Sequence, residues 1–578
     1  MKPVVIFILI AICFPWQNKA QSSPAEPENI TPVKIVYFIP SDMEAIPDRD
    51  ERLGRVMRCV QDFYRKEMER NGYGPLTFAL EWTDPRKLKL YEVNGKKKQT
   101  EYGRNDAYIV LNEVRDALKT KYGIDANKEY LVIFQLLLQR DGNRSIELGP
   151  YVGSGGSLSG TAWVYDDDRL DADSLISKAP GGYYNRPCSL GQFNTHYIGG
   201  VAHEMGHAFG LPHVCESSIQ RATMGSALMG NGNHTFGKEL RNEGLGTFLS
   251  QTSALRLTTV RAFVGNLPNA GRQGDWNVEE LTAKEENHEN GRRTIALSGR
   301  ITASPKLLGI IAYNDNLNIP ADYDAKAWMT KNIEEGRFSL TISELEPVPY
   351  QLRIVGIHEN GATSQLSVNY EVTSEKINFE RLNAIVAETH LLNLFRNKKT
   401  EQLETISKKP AENETIRLMA KHLIKLLSVP TLVKVAALPA NVSSTDLTDA
   451  VFETEETGWL GVHRGKAPED VFLRIGDQFF ESGLYAHAPS RFIVDLAGKW
   501  ETLTIGYGLQ DNHEGPVRFI IRGNDKELFR SQDIKDHRVE NITISIANIQ
   551  KLELHVESAV PGNNGAWGIW VNPIISRK

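Results

Sequence analysis

The stretch "HEMGHAFGLPH", residues 203–213, constrains this chain more than any other. His203 and His207 stand four residues apart, so a helix places both imidazoles on one face, one turn apart. Glu204 follows His203 and reaches the point where the two rings converge. Gly210 permits a backbone that most residues avoid, so the chain leaves the helix sharply. Leu211 and Pro212 continue off the helix axis, and His213 swings back as a third nitrogen donor. Three imidazoles with an open fourth position are the arrangement of a catalytic rather than a structural zinc site. HExxH alone arises by chance on ordinary polar helices. The glycine and third histidine at fixed offsets make this instance far more specific.

The chain has 578 residues, enough for about three or four domains at roughly 100–200 residues each. It opens with Lys2, an apolar run from Val4 to Trp16, and then small and polar residues. This is the pattern of a secretory signal peptide over 1–20, with cleavage near Ala20. "LIAIC" around Cys13 is a weaker match to a lipoprotein box, because Ile12 is bulky there. No later run approaches the roughly 18 apolar residues of a membrane span. The formal net charge is -6 and no dense Lys/Arg tract occurs, which argues against nucleic acid as a partner. Cys59, Cys188 and Cys215 lie beyond the leader, and export leaves open a Cys188–Cys215 disulfide.

Hydrophobic patterning divides the rest. Residues 30–265 alternate strands (33–40, 76–82, 130–138, 160–166) with helices (50–71, 106–122, about 195–209 and about 238–257), an α/β rhythm. Residues 276–373 form short alternating runs between turns, which predicts an all-β, immunoglobulin-like sandwich with no catalytic residue. Residues 377–435 read as a helical spacer. Residues 436–578 return to short strands.

HEMGHAFGLPH resembles the metzincin metallopeptidase signature. The resemblance implies an α/β peptidase domain in which His203, His207 and His213 bind one catalytic zinc and Glu204 is the general base. It further implies a methionine turn beneath the metal. Met229 in "SALMGNGN" fits that turn better than Met224 in "ATMGS". Some members add a tyrosine ligand just after the turn; here Gly230 and Asn231 follow. Tyr183 and Tyr184 are the tyrosines placed to approach from the preceding loop. Members of the clan also pair extended substrate with an edge strand, for which "SGTAWVYDD" stands in the right place, though it reads equally as an internal strand. The acidic run 166–173 is a weaker candidate for calcium.

The far end carries "GLYAHA" (483–488), "VRF" (517–519), "LEL" (552–554) and Trp567. It resembles the NPCBM-type carbohydrate-binding module, a galactose-binding-like β-sandwich. That implies a glycan partner, with Trp459, Trp500, Trp567 and Trp570 as available sugar faces. His487 reads as structural. The expectation is a multidomain, exported zinc endopeptidase acting on protein or glycoprotein. Two other readings compete: a carbohydrate-binding surface protein with a degenerate peptidase-like domain, and a zinc hydrolase of non-peptide amides.

Overall fold

The computed structural model describes residues 30–577 except 143, 185, 288–292, 320–321, 429–436, 469–470, 477 and 512. The expected signal peptide and Cys13 lie outside the described residues. Among the described residues no helix is long and apolar enough to cross a membrane. The chain divides into two units, up to Arg381 and from Leu382 onward.

The first unit is built on a five-stranded sheet. β1 (Lys34–Ile39), β2 (Leu90–Asn94), β3 (Tyr130–Gln135), β4 (Val152–Gly155) and β5 (Gly160–Tyr165) lie in the order β2-β1-β3-β5-β4. All neighbours are parallel except β4, which runs antiparallel to β5, with Val152 opposite Trp163. β1, β3 and β5 are almost wholly buried, as strands covered on both faces must be. α1 (Arg49–Arg70) buries Leu53, Val56, Met57, Val60 and Tyr64 against this layer, and α2 (Ala107–Tyr122) buries Val110, Val114 and Leu118.

Two expectations are corrected. Across 76–82 the chain makes only a bridge from Leu80 to Val33 and the first residue of a short strand, Trp82–Asp84. Strand β2 was hidden by its charged flanks. The segment 238–257 holds only a short final helix, Gln251–Leu257, because Asn242 and Gly244 adopt positive φ and break the chain before it. Strand 160–166 is internal, and the edge beside it is the glycine-rich β4.

The 276–373 region folds as two sheets. One has the order Asp275–Asn287, Arg293–Ser304, Arg337–Ile342. The other runs Lys326–Thr330, Leu307–Asn316, Pro349–His358, Thr363–Val372, Ile377–Asn378. It is not an independent body. Ile311, Tyr313, Val355 and Ile357 share one core with Leu255, Leu257 and the α/β layer.

In the second unit three helices, Glu380–Arg396, Thr400–Lys408 and Glu414–Ser428, precede a two-sheet sandwich. They do not form a free spacer. Leu391, Leu403, Met419 and Leu423 cluster with Phe472, and Arg474 pairs with Glu388 at 2.6 Å. The long strand Trp567–Ser576 sits at the centre of one sheet, bonded to Thr502–Leu509 and Gly483–His487.

Candidate metal centre and cleft

The helix that carries the motif is α3 (Leu190–Ala208). It begins five residues before the expected start. Ser189 accepts from the Gln192 amide while the Gln192 side chain bonds back to the Ser189 amide, a capping box that fixes the helix start. Almost every residue of α3 is buried. Tyr64 on α1 donates to the Ala202 carbonyl at 2.8 Å and anchors the helix centre.

The helix ends at Phe209, and Gly210 at φ 80° turns the chain. His213 then returns to the helix face. The Nε2 atom of His207 lies 3.1 Å from the Nε2 atoms of both His203 and His213. His203 donates from Nδ1 to the Leu228 carbonyl at 2.6 Å, and His207 from Nδ1 to the Leu211 carbonyl at 2.8 Å. A proton on Nδ1 leaves Nε2 as a bare lone pair. Two such lone pairs facing each other across 3.1 Å repel, and a cation between them turns repulsion into ligation. Burial, aided by the neighbouring rings, pushes the pKa of His203 down to about 3 and that of His207 to about 4, so both are neutral, as metal ligation requires. Among the described residues this is the one group of three donors close enough to hold a metal ion. The donor set fits zinc.

Glu204 is buried beside this point, and burial raises its carboxyl to about 8 despite a hydrogen bond from the Gly153 amide. Gly153 on β4 lies against α3 so closely that a Cβ there would overlap the Glu204 carbonyl. Met229 is buried with its sulfur beneath Gly206, under the turn that joins His203 to His207. Its carbonyl accepts from the Val214 amide, one residue past His213. Met224 lies elsewhere, half-buried, with its sulfur 3.8 Å from Arg70.

His203 and Glu204 line a cleft of about 510 Å³. Val152 of β4 and Tyr151 form one wall, and Tyr184, His196 and His234 another. Tyr184 therefore reaches the cleft, whereas Tyr183 is not in its lining. Arg104 and Glu147, paired at 2.9 Å, stand on its rim. The sandwich expected to contribute nothing supplies Tyr323, whose ring stacks on His213 with centroids 4.0 Å apart. Sequence reasoning missed Tyr323, Tyr151 and the β4 edge. The glycine-rich β4 carries no alternating apolar pattern, and no local pattern links residue 323 to residue 213.

The carboxylates of the acidic run 166–173, the weaker candidate for calcium, are largely held by arginines. Arg52 grips both oxygens of Asp166 at 2.7 and 2.8 Å, Arg169 and Arg140 take Asp167, Arg140 takes Asp168, and Arg55 takes Asp171. Among the described residues Cys59, Cys188 and Cys215 are free, so Cys188 and Cys215 do not form the disulfide left open by export. Cys215 donates to the Asp324 carbonyl, and Cys188 sits in the hairpin formed by β6 (Pro180–Tyr184) and β7 (Arg186–Ser189).

In the second unit Trp500, Trp567 and Trp570 are buried and only Trp459 is largely exposed. His487 is buried and bonds through Nδ1 to the Ala488 carbonyl.

Residues 443–576 match the NPCBM/NEW2 domain model. The C-terminal sandwich is an NPCBM domain. Among solved structures, wild-type OgpA from Akkermansia muciniphila aligns with a TM-score of 0.53 and 23% identity, covering 62% of this chain and 98% of that one. Catalytically inactive OgpA in complex with an O-glycopeptide substrate, glycodrosocin, aligns with a TM-score of 0.52 and 22% identity, covering 61% and 96%. The likeness establishes a shared fold. No curated protein matches the chain.

Proposed function

We propose that this chain is an exported zinc endopeptidase that cleaves O-glycosylated polypeptide and is held near glycans by its C-terminal NPCBM domain. The observation that carries the reading is the convergence of three Nε2 atoms beside a buried carboxylate at the floor of an open cleft. The fold shared with OgpA, which was crystallised with an O-glycopeptide substrate, supports the choice of substrate.

His203, His207 and His213 would hold the zinc, which when bound supplies Lewis acidity to a peptide carbonyl and to water. The carbonyls of Leu228 and Leu211 fix the His203 and His207 rings and their tautomers. Met229 supports the turn from below. Beside a cation held by the three histidines Glu204 favours its ionised form, which offsets the burial that raises its carboxyl. The carboxylate then takes a proton from the attacking water and passes it to the leaving amine. The outer edge of β4 lies beside Glu204, and an extended substrate pairs there as an added strand. This assigns to β4 the role that the sequence offered to 160–166. Tyr151 and Tyr323 exclude water from the reacting carbonyl.

The intact Glu204 disfavours a purely carbohydrate-binding protein, since a glutamine there would keep the shape without the base. The reading is tested by incubating an O-glycosylated peptide with the full chain, with and without chelator. Cleavage that chelator abolishes and zinc restores supports it. An intact substrate at full zinc loading overturns it.

A further inference from the structure

Next to the metal cleft lies a second cavity of about 620 Å³, within the size range of sites that hold small ligands (about 300–1,000 Å³). The two share Tyr184, His196 and His234. These three rings form one stacked wall. Tyr184 and His196 lie 3.4 Å apart between centroids and His196 and His234 5.0 Å apart. This shared wall joins the second cavity to the metal cleft.

The charge of that cavity is one-sided. Its lining holds three cations, Arg186, Lys238 and Arg241, and one anion, Glu243. Arg241 is fully buried and already paired with Glu243 at 2.8 Å, and its other nitrogen is held by the Leu175 and Gly191 carbonyls. That pair cancels. Exposed Arg186 and half-buried Lys238 remain in excess. Lys238 lies near enough to Glu243 to help hold its carboxyl low, after Arg241, but among the described residues it makes no ion-pair contact with it. The cavity also lies at the capped start of α3, where the helix dipole favours negative charge.

We propose that this cavity is a subsite for the acidic end of a branched glycan, with Arg186 and Lys238 binding its carboxylate or sulfate. A single Asp or Glu side chain would fill only a small part of the space, which argues for a sugar as the carrier of the charge. The inference rests on the glycopeptidase reading and deepens it. Arg186 can grip a carboxylate or sulfate with two nitrogens, and Lys238 serves as a point charge.

The test uses four synthetic peptides that differ only at the glycosylation position: one unglycosylated with a glutamate there, and three carrying a neutral, a sialylated or a sulfated O-glycan. For the wild-type full chain, kcat/KM is expected to be higher for at least one acidic glycopeptide than for the neutral one, with the advantage shrinking as salt rises. Sialylated and sulfated arms separate the two anion sources. In Arg186→Gln/Lys238→Gln the acidic-to-neutral ratio should fall about tenfold or more. A ratio unchanged in that variant, an advantage confined to the glutamate peptide, or acidic glycans that slow the wild type would overturn the proposal. If no peptide is cleaved, the glycopeptidase reading fails, and calorimetric binding by Glu204→Gln still decides the subsite. Tighter binding of an acidic glycopeptide that Arg186→Gln/Lys238→Gln removes supports it; equal binding of acidic and neutral forms overturns it.

Discussion

Tyr323 lays its ring on His213 at 4.0 Å, with the planes 27° apart. The contact joins the third histidine to a loop of the β-sandwich and places a hydroxyl-bearing ring at the mouth of the cleft. The sandwich is thereby part of the site and shares its core.

Tyr323→Ala is expected to reduce kcat/KM by roughly tenfold, in line with loss of an aromatic contact and of water exclusion. Tyr323→Phe keeps the stacking and should retain most zinc affinity. Zinc titration of the two variants separates ring from hydroxyl. Equal zinc affinity and activity in wild type and Tyr323→Ala would show that the ring does nothing there.

Met229→Ala should destabilise the first unit by about 2–5 kcal/mol, because a buried side chain is removed from a packed site. Met224→Ala, half-buried beside Arg70, should cost much less. Denaturant melts of both variants check the order, and the reverse order contradicts the placement of the turn.

Arg52 and Asp166 form a buried bidentate pair, joined by the Tyr37 hydroxyl at 2.8 Å. Arg52→Met leaves the carboxylate buried without its cation, at a cost of about 3–5 kcal/mol. Added calcium should not recover the loss, since the run 166–173 is organised by arginines. A melting temperature that rises with millimolar calcium in the wild type would reverse that assignment.

The histidine cluster was legible because its parts are local. Helical spacing joins His203 to His207, and one turn at Gly210 brings back His213. The C-terminal module was legible through "GLYAHA" and Trp567, which lie on neighbouring strands of one sheet. What was not legible depends on long-range packing. β4 has almost no hydrophobic signal, because glycines let it lie directly on α3. Tyr323 reaches His213 only through the shared core. The expected spacer helices looked independent because an amphipathic face does not reveal what covers it; here Phe472 does.

The most direct measurement is zinc content and glycopeptide hydrolysis determined together on wild type and Glu204→Gln. The account predicts one zinc per chain in both proteins and a loss of hydrolysis of about 10²-fold or more in the variant. Wild-type rates in a fully zinc-loaded Glu204→Gln protein, or a wild type that holds no zinc, would contradict it.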